Sequence, residues 1–378
     1  MILILTPNID TEGETYRRLM GHLSRLPNIQ ARVHREQGVE QCLTEIYLIG
    51  NTAAVSLNDM KNLPGVERAV RVSEEYRVIG RHKGDERPTH FEYQGVRFGQ
   101  DTLNVFAGLC AVDEPRHVEL MMKALRDNGQ VCTRMGAYKP RTSPYTFQGH
   151  GRACLTYVFE LAGKYGIKVI AMEITHESHI AEIRDALDLT GSPTGVMLQI
   201  GTRNTQNFEL LKIVGRQHEF PVLLKRGFGI TLDESLHAAE YLASEGNRKV
   251  VFGLRGMKTS IGDPHRNFVD FAHVPVVKRL TRMPVCIDPS HSVGTRARCT
   301  EGILDIMHVT AQGVIAGANM VLVDFHPAPE LALVDGPQAL RLEELPLFLE
   351  DVAIAREAYL KRLALAARYR RTEELAVA

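Results

Sequence analysis

From residue 101 onward, short apolar strand-like runs alternate without a break with longer amphipathic runs. This alternation limits the available folds more than any other feature of the chain. The strand-like segments are Val105–Ala111, Val131–Ala137, Ile167–Ile174, Val196–Gly201, Val222–Gly227, Val250–Gly256, Val285–Pro289 and Met320–Phe325. Helical segments separate them, among them Val118–Asn128, Ala153–Tyr165, Asn207–Arg216, Leu232–Ser244 and Leu304–Ala318. Eight such units in roughly 250 residues predict a (β/α)8 TIM barrel of the α/β class. The run from Leu342 to Tyr369 supplies its last helix and a C-terminal extension, so residues 101–378 form the expected catalytic domain.

The first 73 residues follow another pattern. Strand-like Ile2–Leu5, Ile29–His34, Leu43–Ile49 and Val66–Val72 are interleaved with helical stretches at Glu12–Leu26 and Leu57–Leu63. The order βαββαβ predicts a small ferredoxin-like α+β domain, with an oligomerising or regulatory role. Residues 74–100 join the two domains. The charged segment from Ser73 to Arg87 reads as a polar linker, and Phe91–Phe98 alternates about Gly95 as a hairpin would.

Composition removes several function classes. Forty-five Lys and Arg balance forty-five Asp and Glu, so nothing supports a general nucleic-acid or membrane-surface binder. The longest apolar runs fall short of the ~20 residues a membrane span needs. Met1 leads straight into Ile2–Leu5 with no basic segment before it, so no signal peptide is expected. Six cysteines are scattered without a CxxC pair, which fits reduced thiols and a cytoplasmic location.

In a barrel the active site lies at the C-terminal strand ends. Those ends carry Arg134, Lys139, Arg141, Arg203, Lys225, Arg226 and Arg255. So many cations on one face of a neutral chain predict an anionic ligand of the phosphate or carboxylate type. The alternative is that each is neutralised by a structural salt bridge. The same rim carries Cys110, His291, Asp324 and Asp335. Taken singly, these suit a buried thiol and satisfied loop residues. Together they predict a first-row divalent ion such as Mn²⁺, Fe²⁺, Co²⁺ or Zn²⁺. His176-Glu-Ser-His179 lacks the spacing of a zinc protease helix, and Gly227-Phe-Gly229 lacks the third glycine of a dinucleotide fingerprint.

Gly136-Ala-Tyr-Lys-Pro-Arg-Thr-Ser-Pro-Tyr-Thr-Phe-Gln-Gly149, Gln199–Asn204, Gln206–Lys212, Pro221–Gly227 and Asp288-Pro-Ser-His291 resemble one family in register. It is the 3-deoxy-D-arabino-heptulosonate 7-phosphate (DAHP) synthases, in the branch with an N-terminal ferredoxin-like domain. The resemblance implies a transferase that joins phosphoenolpyruvate to erythrose 4-phosphate with a divalent metal, in the first step of the shikimate pathway of aromatic amino acid biosynthesis. It places Arg134, Lys139, Arg203, Lys225 and Arg255 at the phosphate and carboxylate of phosphoenolpyruvate, and Arg141 and Thr142 at the phosphate end of the aldose. It makes Cys110, His291 and Asp335 metal ligands, with Asp324 where the family usually has Glu. It also implies an aromatic amino acid effector and a homo-oligomer, a tetramer or dimer.

Three further departures stand beside Asp324. Gly108-Leu-Cys-Ala111 replaces the family's Gly-Pro-Cys-Ser turn, and both Glu173–Ser178 and the loop Met257–His265 are unusual. The phosphoenolpyruvate side therefore reads as intact, and the metal shell and aldehyde side as altered. Shortening Glu to Asp moves a carboxylate by roughly 1.5 Å. Two alternatives follow: a paralogue that condenses phosphoenolpyruvate with another aldehyde in specialised metabolism, and a catalytically weak regulatory relative. Lys139 is the expected proton-transfer group, with its pKa lowered by the surrounding cations.

Overall fold

Eight of the strands are buried on both faces because each is covered twice, by helices outside and by other strands' side chains inside. The computed structural model describes residues 1–38, 41–52, 55–71, 76–82 and 87–377, with side chains to residue 370. The chain divides into two compact units, Met1–Glu75 and Tyr76–Ala378.

In the first unit, β1 (Ile2–Leu5), α1 (Glu14–Leu23), β2 (Ile29–Gln37), β3 (Cys42–Gly50), α2 (Leu57–Lys61) and β4 (Val66–Val70) follow in order. The sheet runs β2-β3-β1-β4 with every neighbouring pair antiparallel, which is the ferredoxin-like arrangement. Leu3, Leu5, Leu19, Leu23, Ile46 and Leu48 form its core.

The second unit opens on the stretch expected as a linker. Residues 73–75 and 83–86 of that stretch, and Val72 at the end of the expected strand Val66–Val72, lie outside the described residues. Between them, Tyr76 and Ile79 are buried in the barrel's main core instead of lying in solvent, because an aromatic and an aliphatic side chain gain more from burial than a polar tether would. The hairpin β5 (Phe91–Tyr93) and β6 (Val96–Phe98) follows. Val96 and Phe98 pack with inward-facing Phe106, Cys132, Met197, Leu223, Val251 and Met320, and so plug the N-terminal mouth of the barrel.

The barrel elements are β7 (Asn104–Leu109), α3 (Pro115–Asp127), β8 (Cys132–Met135), α4 (Arg152–Tyr165), β9 (Val169–Ile174), α5 (Ser178–Leu189), β10 (Gly195–Ile200) and α6 (Phe208–Arg216). They continue with β11 (Val222–Lys225), α7 (Leu232–Ser244), β12 (Val250–Leu254), α8 (Val274–Leu280), β13 (Val285–Ile287), α9 (Pro289–Val293), α10 (Asp305–Ile315) and β14 (Met320–His326). All eight strands are parallel, and pairing of β14 with both β13 and β7 closes the cylinder. A two-residue strand, β15 (Leu340–Arg341), extends the β14 edge, and α11 (Leu345–Val377) ends the chain. Among the described residues no helix is long and apolar enough to cross a membrane.

Period-two alternation along each strand divides the barrel interior by height. On β14, Met320 and Leu322 lie in the lower apolar plug, and the next inward position is Asp324. The same step leads from Cys132 to Arg134, from Ala171 to Glu173, from Leu223 to Lys225 and from Cys286 to Asp288. One register thus puts hydrocarbon at the bottom and charge at the top.

Candidate active site

A cavity of about 260 Å³ opens at the C-terminal strand ends, lined among others by Lys139, Arg141, Thr142, Glu173, Arg203, Lys225, Phe228, Arg255, Arg266, His291 and Asp335. It is small and dominated by charge, which suits a compact anionic ligand more than an apolar one.

His291 and Asp335 of this lining belong to a cluster in which one donor atom from each of Cys110, His291, Asp324 and Asp335 lies within 4.8 Å of the others. Cys110 Sγ stands 3.2 Å from Asp335 Oδ2 and 3.8 Å from His291 Nε2. Asp288 caps α9 by accepting from the His291 backbone N–H at 3.1 Å, and its Oδ1 lies 3.0 Å from His291 Nδ1. That contact fixes the ring so that Nε2 faces the thiol and Asp335, the way a carboxylate orients a metal-ligating histidine. A thiol, an imidazole and two carboxylates converging from separate strand ends fit a first-row divalent ion. Burial lowers the His291 pKa, but the carboxylates of Asp288 and Asp324 outweigh it and hold the imidazole up at about 10. Asp335 is driven far down: burial opposes this, and His291 and Arg266 overcome it. Its backbone sits in the left-handed region at φ 56°, a strained conformation that Asp tolerates better than most residues.

The cations divide into two sets. Arg134 pairs with Asp324, Lys139 Nζ lies 3.2 Å from Glu173, Lys225 Nζ 2.6 Å from Asp288, and Arg226 3.1 Å from Asp270. Each of these four cations has a buried carboxylate partner, as a buried cation without a counter-charge would cost several kcal/mol. Arg203 and Arg255 differ. Among the described residues no carboxylate lies within 4 Å of either guanidinium. Arg203 is exposed and donates to the Thr142 hydroxyl at 3.3 Å, whereas Arg255 is 2% exposed, and its burial pulls its pKa down to about 10.

Lys139 corrects an expectation. Burial does favour its neutral form, but the Cys110 and Glu173 charges prevail and raise its pKa, so it stands protonated. Neighbouring cations were expected to lower it; the anions are closer, with Cys110 Sγ at 3.4 Å. Glu173 was not among the expected site residues. Its carboxylate fits only because position 201 is glycine: a Cβ there would lie 1.8 Å from Glu173 Oε1. Arg266 and Gln338 were also missed. Arg266 bonds Asp335 Oδ1 at 3.0 Å and Gln338 Oε1 at 2.9 Å, and Gln338 Nε2 donates to Asp324 Oδ2 at 2.6 Å. The shorter Asp324 is therefore held on both oxygens, by Arg134 and by Gln338. Arg141 lines the cavity and reaches Thr146 at 3.2 Å.

A second group, Asp113, His117 and His326, lies within 4.8 Å of one another. His326 Nδ1 accepts the Ala328 backbone N–H at 3.0 Å, so its Nε2 carries the proton given to Asp113 Oδ2 at 2.6 Å. It is a hydrogen-bonded clasp between the end of β14 and the loop after β7, with no imidazole lone pair left on His326 for an ion.

The sequence and the fold both match known proteins. The model of the DAHP synthetase I family matches residues 78–359. A phospho-2-dehydro-3-deoxyheptonate aldolase of Thermotoga maritima is 35% identical over 344 residues, 91% of this chain and 94% of that one. A crystal structure of that enzyme type from the same organism superposes with a TM-score of 0.75 at 32% identity, covering 97% of each chain. A 2-dehydro-3-deoxyphosphooctonate aldolase of Acidithiobacillus ferrooxidans is more distant, 25% identical over 67% of this chain and 90% of its own. With the family model spanning well over half its length, the chain belongs to the DAHP synthetase I family.

Proposed function

We propose that this protein is a metal-dependent 3-deoxy-7-phosphoheptulonate synthase that condenses phosphoenolpyruvate with erythrose 4-phosphate in the cytoplasm. One observation carries the reading: a buried arginine without a counter-carboxylate shares a small cavity with a four-donor cluster suited to a first-row ion. Mn²⁺, Fe²⁺, Co²⁺ or Zn²⁺ held by Cys110, His291, Asp324 and Asp335 would supply Lewis-acid polarisation of the aldehyde oxygen. Arg255 and Arg203, with Arg134, Lys139 and Lys225, grip the phosphate and carboxylate of phosphoenolpyruvate. Arg141 and Thr142 take the aldose phosphate.

Carbon 3 of phosphoenolpyruvate then bonds to the aldehyde carbon, water adds at carbon 2, and inorganic phosphate leaves. Lys139, held protonated beside Glu173, is placed to give its proton to the new hydroxyl oxygen. The cations keep both anions in attack geometry and meet charge as it develops. The N-terminal unit is assigned to effector response by an aromatic amino acid, within a homo-oligomer.

Asp324 in place of Glu favours one rival, a paralogue with another acceptor. The test is phosphate release from phosphoenolpyruvate across four- and five-carbon phosphorylated aldoses, with each candidate metal. Turnover fastest with erythrose 4-phosphate is expected. Preference for a five-carbon aldose supports the paralogue, and no turnover with any pair ends the enzyme reading.

A further inference from the structure

The Gly227-Phe228-Gly229 turn is no dinucleotide fingerprint, and nothing in the reaction described above uses it. It is nevertheless built rigidly. The Arg226 carbonyl accepts from Thr202 Oγ1 at 2.5 Å, and the Arg226 guanidinium is tied to Asp270 at 3.1 Å. On the far side, Thr231 and Glu234 form a capping box that starts α7. Between these anchors Gly229 takes φ +61°, a conformation strained for residues with a side chain. The turn aims a half-buried Phe228 into the cavity.

Both arginines without an acidic partner lie over that ring. The guanidinium carbon of Arg255 is 4.8 Å from its centroid and that of Arg203 is 5.4 Å. Among the described residues, the one protein hydrogen bond of the Arg255 side chain is a long one, 3.4 Å to the Gly256 carbonyl. A carboxylate here would steady both arginines, but it would also neutralise them and compete with an incoming anion. An aromatic face attracts a cation and leaves its N–H donors free.

We propose that Phe228 is a positioning residue, its ring face holding Arg203 and Arg255 convergent before substrate binds, so that both forks remain available to the phosphoryl or carboxylate group of phosphoenolpyruvate. This rests on the reading of the cavity given under the proposed function. Phe228→Leu, and Phe228→Met as a flexible apolar alternative, should raise the KM for phosphoenolpyruvate about five- to thirtyfold. The KM for the aldose should stay within twofold, with kcat falling less than the phosphoenolpyruvate KM rises. Phe228→Tyr, which keeps the ring face, should restore the phosphoenolpyruvate KM to within about threefold. Calorimetric titration of the full chain with inorganic phosphate should show the same order.

Equal phosphoenolpyruvate KM values for Phe228→Leu, Phe228→Met and the parent protein, with Arg203→Ala and Arg255→Ala raising it, would overturn the role of Phe228 and leave the anion clamp standing. If the two arginine variants also bind phosphoenolpyruvate and phosphate normally, the reading of the cavity itself fails. Phe228→Tyr as impaired as Phe228→Leu would mean that Phe228 acts through packing alone, which also overturns the proposal.

Discussion

Cys110 shows what single residues contribute here. Its Sγ is 3.2 Å from Asp335 and 3.4 Å from Lys139, so the same atom serves the proposed metal shell and helps hold the lysine charged. Cys110→Ala and His291→Ala should each lower metal occupancy at least 100-fold in a competition with a chelator, and turnover should fall with it. Full activity of the parent protein after exhaustive chelation would contradict this. The two arginines without acidic partners should differ from each other. Arg255 is 2% exposed, so replacing it removes a desolvated charged contact, and Arg255→Ala should cost about 3 kcal/mol of phosphoenolpyruvate binding, on the order of 100-fold. Arg203 is exposed, so Arg203→Ala should cost about 1–1.5 kcal/mol, roughly tenfold. Steady-state KM values check the order, and a larger effect at Arg203 would reverse the assignment of the two roles.

At the scale of elements, the barrel and the ferredoxin-like order were legible because strand and helix periods differ and the eight repeats reinforce one another. The ends of β12 and β13 fall two residues short of the runs that announced them: the runs continue into inward-facing Arg255 and Asp288, which are no longer in the ladder. Cys110, His291, Asp324 and Asp335 were legible because each stands at a strand end or in the loop beyond it. Glu173 and Asp288 were legible in principle, one inward step above Ala171 and Cys286, but only once the register was known. Gln338 and Arg266 were not legible, since loop geometry alone brings them to Asp324 and Asp335. Helix packing adds a pH effect. Lys278 on α8 donates to the Gln100 and Gly317 carbonyls and to Tyr359 on α11, and burial, aided by Arg356 and Arg81, lowers its pKa to about 8. The unfolded chain keeps that proton up to about 10.5. Between about pH 8 and 10.5 the unfolded state therefore binds more protons, so this group's contribution to stability rises with pH there, by on the order of 2 kcal/mol. Lys278→Met should flatten the dependence of Tm on pH across that window. Parallel curves for the two proteins would exclude the linkage.

For the whole molecule the sharpest question is where the chain can be cut. Every residue assigned to the reaction lies between Cys110 and Asp335, inside the second compact unit. Position matters because the barrel begins earlier than the hairpin. Tyr76 donates to Asp233 at the start of α7, the backbone N–H groups of Val78 and Ile79 donate to Glu240 at 2.9 and 3.1 Å, and Ile79 is 4% exposed in the core. A chain starting at Glu74 keeps all of this. It should unfold cooperatively and turn over with kcat within about threefold of the full chain, while losing any inhibition by an aromatic amino acid that the full chain displays. A chain starting at Pro88 loses Tyr76 and Ile79, each contributing about 1.5–3 kcal/mol of apolar burial. It should therefore melt well below the Glu74 chain at equal protein concentration, with Tm falling several degrees or more. Equal Tm values for the two would place the segment outside the barrel's cooperative unit. An effector response that survives in the Glu74 chain would move regulation out of the N-terminal unit and into the barrel.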